Sequence, residues 1–196
     1  MWPLYKNGPS TTSVNTVPTA TDTNTINVPT YQFDKNTILQ TIKDTSSGDT
    51  SLVILNITDK TTGALITNNA IFTLINARVL IDFKQSVTGA VIGGYRGEPW
   101  MAFSITDLST SFGGMLDWEK TISSDLSPWF GPTISQTRTG VLTNFTDQVI
   151  EKIDVRVLKD SSGNEKIVYG FINQNKLLIT TNSTAFLNIA HNLNSQ

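Results

Sequence analysis

The chain predicts an all-β fold: an antiparallel β-sandwich of jelly-roll type carrying an extended N-terminal arm. Three observations lead there. Thr, Ser and Asn supply about a third of the 196 residues, while charged residues supply only 15%, against a usual share of roughly 25%. Thr packs its branched Cβ on pleated surfaces, and Asn and Ser favour turns, whereas surface helices draw on Glu, Lys and Ala. Apolar runs of strand length recur at intervals of about 8–15 residues with turn residues between them. No heptad pattern, no repeat period and no long amphipathic helix stands out.

Taken in order, residues 1–30 are expected to be the arm and residues 31–196 the sandwich domain. Ser10 to Thr30 (STTSVNTVPTATDTNTINVPT) holds a single charge, Asp22. Its scattered small apolars cannot build a core, which fits a disordered linker or an arm held by its own domain or by a neighbouring subunit; an arm used in assembly is the preferred reading. Phe33 to Ile42 fits a strand or a short helix. Ser51 to Ile57 (SLVILNI) reads as a strand, with Ala64 to Thr67 pairing to it across Asp59–Gly63. Ile71 to Phe83 (IFTLINARVLIDF) is long and apolar; its β-branched and aromatic content favours a strand, while periodicity alone leaves a helix open. The clearest pattern is C-terminal: Lys152 to Lys159, Lys166 to Ile172 and KLLITT, separated by DSSGNE and NQN, form a three-strand meander.

The stretch GGYRGEPWMAF, Gly93 to Phe103, reads as a turn or bulge entering a buried strand. Tyr95 and Arg96 are expected at its accessible end, with Trp100 and Phe103 pointing inward. Three of the four tryptophans, Trp100, Trp118 and Trp129, fall between Gly93 and Pro132. One reading stacks these rings on sugar faces while Arg96, Glu98, Asp117 and Glu119 bond hydroxyls. The other places Trp100 and Trp118 in the core, with the glycines marking bulges and turns. In SPWFGP two prolines bracket Trp129 and Phe130, so this segment reads as a rigid turn presenting two rings. The candidate contacts for a partner or a glycan are therefore Trp129, Phe130, Tyr95 and Arg96.

Little here points to chemistry. With no cysteine and one histidine, His191, neither a cysteine metal site, a two-histidine motif nor a Ser/His/Asp triad is expected. GGYRG lacks the Gly-Lys-Ser/Thr ending of a phosphate loop and the spacing of a dinucleotide turn. Asp117 and Glu119 in LDWEK, two apart on a supposed strand, are the one acid/base pair a glycosidase would use. No catalytic residue, cofactor or metal is expected. The net charge of −2 and the absence of basic runs argue against nucleic acid, and the arm offers it only Lys6. Met1-Trp2-Pro3 leads into no apolar h-region, and no apolar run nears the roughly 20 residues of a membrane span.

The expected function is that of a non-enzymatic virion structural protein, a capsid protein or a phage tail or head appendage. It would assemble in the host cytoplasm, joining copies of itself or other virion proteins through the arm and sandwich contacts. In general style the pattern resembles viral coat and appendage proteins, without a motif that names a family. The alternative is a glycan-binding or adhesin module that recognises a cell surface.

Overall fold

Residues 24–48, 52–131 and 144–194 are described by the computed structural model. The all-β expectation is overturned: among the described residues one open eight-stranded mixed sheet carries six helices, and no second sheet closes a sandwich. Of the segment expected as an arm, Asn24–Thr30 forms strand β1; residues 1–23 lie outside the described residues. A 3-10 turn (Tyr31–Phe33) leads to helix α1 (Lys35–Ser46). Strand β2 (Leu52–Asp59) and helices α2 (Asn68–Leu74) and α3 (Ile81–Ser86) follow. Strands β3 (Val87–Tyr95) and β4 (Glu98–Ile105) then precede helices α4 (Leu108–Trp118) and α5 (Ile122–Phe130). The chain ends with β5 (Thr146–Ile150), β6 (Ile153–Lys159), β7 (Glu165–Asn173), β8 (Lys176–Thr180) and helix α6 (Ser183–Asn194).

The sheet order is β1-β2-β3-β4-β8-β7-β6-β5. Only β1 and β2 run parallel; every other neighbouring pair is antiparallel. Alternation along each strand sends side chains to opposite faces. Val53, Leu55, Ile92, Met101, Phe103, Leu177 and Ile179 face a core shared with α1 to α5. Ile54, Val91, Trp100, Ala102, Val168 and Leu178 face α6. The C-terminal meander falls where the sequence puts it, with Ile167 and Tyr169 on one face and Val155 and Val157 on the other.

The strand favoured over Ile71–Phe83 gives way to the helical alternative, as α2 and α3. Thr67 caps α2 by accepting a hydrogen bond from the Ala70 amide at 3.2 Å, and Ile71, Phe72 and Ile75 fall at helical spacing toward the core. β-branched residues prefer strands only weakly, and packing decides between the two. The same logic makes Phe33–Ile42 largely helix: Asp34 caps α1 at the Thr37 amide, 2.9 Å away, and Ile38 and Ile42 bury one face. Within SPWFGP, Ser127 to Phe130 is the end of α5 rather than a free turn, stopped at Gly131 with φ of 86°; Pro132 lies outside the described residues. The bridge Thr58↔Leu65 is all that remains of the hairpin expected from Ala64–Thr67.

A repeat absent from the sequence reading emerges from the topology. Hairpin β3–β4 followed by α4 matches hairpin β7–β8 followed by α6. Ile105-Thr106 and Ser109-Thr110 with Phe112 correspond to Ile179-Thr180 and Ser183-Thr184 with Phe186. The same offset relates Phe103 to Leu177, which are cross-strand partners. The two units thus meet in the middle of the sheet at their own equivalents, although their helices cover opposite faces.

Two adjacent glycines in α4 should respond with opposite sign. A Cβ at Gly113 meets nothing within 4 Å, so Gly113→Ala should stabilise by about 0.5–1 kcal/mol through helix propensity. A Cβ at Gly114 would lie 2.5 Å from Phe83 Cβ, where α3 crosses closely. Overpacking of about 1–3 kcal/mol there exceeds the same propensity gain, so Gly114→Ala should destabilise. Urea unfolding midpoints of the two variants, on either side of the parent, check this.

Candidate functional site

The residues singled out by sequence do not converge. Trp129 is 3% exposed and packs among the core side chains under α5, with Phe130 half-buried beside it. Tyr95 is buried on the α6 face, while Arg96 is exposed with its guanidinium 5.5 Å from the Tyr95 ring centre. The expectation that Tyr95 is accessible is therefore corrected. Arg96 (φ 53°) and Gly97 (φ 77°) form the two-residue turn between Tyr95 and Glu98, a type I′ geometry in which both central residues are left-handed. Trp100 and Phe103 are both buried, but on opposite faces. His191 lies exposed on α6 with its Nε2 2.9 Å from Glu151 Oε2.

Asp117 and Glu119 do not share a strand face. Asp117 lies in the last turn of α4, and Glu119 is the residue after that helix. The Glu119 carboxylate accepts from Arg156 Nε and Nη2, both at 2.8 Å, and from the Tyr169 hydroxyl at 2.6 Å. Arg156 also donates to Asp147 at 2.8 Å. Hydrogen bonding to Glu119, opposed by burial, raises the Arg156 pKa further. Burial and the bond to Glu119 raise that of Tyr169. Both groups therefore keep their protons and hold Glu119 as a fixed acceptor. This arrangement ties α4 to the distal sheet and occupies the carboxylate that a general acid would need. Among the described residues no three His, Asp or Glu side chains converge as metal ligands, and no helix is long and apolar enough to cross a membrane.

Arg156 and Asp147 form one wall of a cleft of about 340 Å³ between α4 and the β5–β7 end of the sheet. The register Asp147↔Arg156, Val149↔Asp154 and Arg156↔Tyr169 puts these side chains, with Phe171, on the face that α4 flanks. The Phe112 and Phe171 rings lie 6.1 Å apart at 50°. Along α4, Leu108, Phe112 and Leu116 recur every fourth residue and are all exposed, beside the buried stripe of Ser111, Met115 and Trp118. Val149, on β5 at the edge of the described sheet, is 68% exposed. Exposed apolar side chains are ordinary singly, but a contiguous set beside a cleft marks a contact site.

None of these residues was selected from the sequence. The signal was present: Asp107 and Thr110 make a helix start, with the Thr110 amide donating to Asp107 at 2.5 Å, and the four-residue spacing from Leu108 is helical. Comparison of the chain with known protein families, with curated proteins and with solved structures finds no match.

Proposed function

We propose that this chain works by protein–protein contact rather than by chemistry, as an assembly protein whose docking face is α4 and the β5–β7 cleft. One observation carries the reading. Phe112 is 46% exposed between Leu108 and Leu116, whereas its counterpart in the repeated unit, Phe186 of α6, is fully buried against the sheet. The first unit thus leaves uncovered an aromatic position that the second fills, and a covering partner removes that apolar surface from water. The virion reading drew on a jelly roll that this chain does not form, so assembly is its part with continued support. Stacking of a glycan on Trp129 loses its geometric basis, because that ring lies in the core.

The test is a photo-crosslinking residue at Leu116, with the same residue at exposed Gln40 of α1 as control, in the protein's native cells. A discrete protein adduct at Leu116, absent at Gln40 and abolished by Phe112→Asp, is the expected result. Phe112→Asp should itself change stability by less than about 1 kcal/mol, since the ring lies at the surface. The absence of any adduct at Leu116 would remove the reading.

A further inference from the structure

The identity of the partner on the α4 face rests on that reading, and a second exposed apolar cluster on the same chain supplies a candidate. In α3, Phe83 and Ser86 are buried, so Ile81, Lys84 and Gln85 occupy the opposite side of the helix by its 100° per residue advance. Ile81 is 64% exposed, and Leu80 immediately before it is also exposed. Lys84 stands beside them with Nζ 6.0 Å from the Phe72 ring centre. Asp82 sits on the flank of the helix rather than on this side. The tip of α3 is thus two apolar side chains with an ammonium one turn along.

The α4 cleft has the complementary character. Its apolar wall is Phe112, Val149 and Phe171, and its rim carries Asp147 and Asp154. Asp147 is answered by Arg156, whose remaining donors serve Glu119. Among the described residues Asp154 has no ion-pair partner. Two α4 faces packed about a two-fold axis would bring the rim carboxylates of both copies together, and like charges in a drying contact are costly. The α3 tip brings the opposite sign.

We propose that a second copy of this chain fills the cleft, with its Leu80–Ile81 tip between Phe112, Val149 and Phe171 and its Lys84 against Asp154. The two surfaces belong to different parts of the chain, so the contact is head-to-tail. Such contacts continue into a ring or a filament rather than stopping at two.

Sedimentation velocity of the purified full chain over about a hundredfold range of concentration reads this out. Mass that grows beyond a dimer is expected, with Ile81→Glu and Val149→Glu each reducing the chain to a monomer. Lys84→Glu and Asp154→Lys should each weaken association roughly tenfold, and the double charge reversal should restore it. Restoration cannot come from a folding defect, so it separates contact from stability. A dimer that stops at two and ignores Ile81→Glu would overturn the head-to-tail contact. A monomer throughout would overturn self-association as well. In that second case an adduct of another mass at Leu116 leaves the docking face standing with a foreign partner, and no adduct removes both proposals.

Discussion

Asp125→Ala is expected to destabilise the protein by about 2–4 kcal/mol, the cost of leaving several donors around a buried carboxylate without their acceptor. The Asp125 side chain is 1% exposed and joins three elements. Its Oδ2 accepts from the Arg78 amide at 2.9 Å, from Trp118 Nε1 at 2.9 Å and from the Thr121 hydroxyl at 3.1 Å. Its Oδ1 accepts from Arg78 Nε at 2.8 Å. Arg78 lies in the connection between α2 and α3, Trp118 ends α4, and Asp125 itself is in α5. Alanine would leave the indole N–H of a fully buried tryptophan without its acceptor, and each orphaned donor costs about 1–3 kcal/mol. Asn would keep one acceptor oxygen but turn an amide N–H toward these donors, so Asp125→Asn should fall between parent and alanine.

The pH dependence follows from the same contacts. Burial alone would raise the Asp125 pKa; the donors from Arg78, Trp118 and Thr121 outweigh it and hold the carboxyl below its ordinary value. A depressed folded pKa contributes stability that is fully present above the unfolded carboxylate value, about 3.9, and is lost as pH falls through the folded value. Wild type should therefore keep its urea midpoint down to about pH 4 and lose it below. The gap between wild type and Asp125→Ala should narrow over the same range. A gap that stayed constant from neutral pH to pH 3 would mean that ionisation of Asp125 contributes nothing.

What the sequence disclosed depended on whether local pattern and tertiary packing agreed. In β6, β7 and β8 the alternation and the turn residues agree, and Asp160 confirms the turn by accepting from the amides of Ser162 and Asn164, both at 2.9 Å. Leu52–Ile57 was legible for a different reason, being apolar on both faces because the strand is covered on both. The helices were hidden by composition. α4 reads LSTSFGGMLDW, with two glycines and no Lys or Glu, and Gly114 is there because Phe83 of α3 crosses too closely for a Cβ. That requirement is tertiary and leaves no mark on propensity. The tryptophans were read as a group from their proximity in sequence. Three-dimensional packing separates them, with Trp100 on the α6 face and Trp118 and Trp129 on the other. The α4 cleft was missed because its residues come from α4, β5, β6 and β7, far apart in the chain, and only the sheet order joins them.

Gly93 should be the least replaceable glycine of β3, with Gly93→Ala costing about 3 kcal/mol or more. The reason lies across the strand pair. Gly93 and Trp100 are register partners in β3 and β4, both pointing to the α6 side. The indole lies flat over the position a side chain would occupy. A Cβ built there comes within 2.2 Å of Trp100 Cε2 and 2.4 Å of the Val53 carbonyl oxygen. The first clash is with a fully buried ring that has no room to swing away, and the second is with the backbone of the neighbouring strand, which cannot yield without breaking β2–β3 pairing. Trp100→Phe removes the overlapping part of the ring, together with an indole N–H that has no acceptor among the described residues. The single Trp100→Phe change should therefore cost less than a full truncation. In the Gly93→Ala background it should be favourable, giving a coupling of about 1–3 kcal/mol. Rescue should remain partial, because the Val53 carbonyl contact persists whatever stands at position 100. Chemical denaturation of the four members of this cycle measures the coupling. Additive costs would show that the backbone contact alone excludes a side chain at Gly93, and complete rescue would show that the indole alone does.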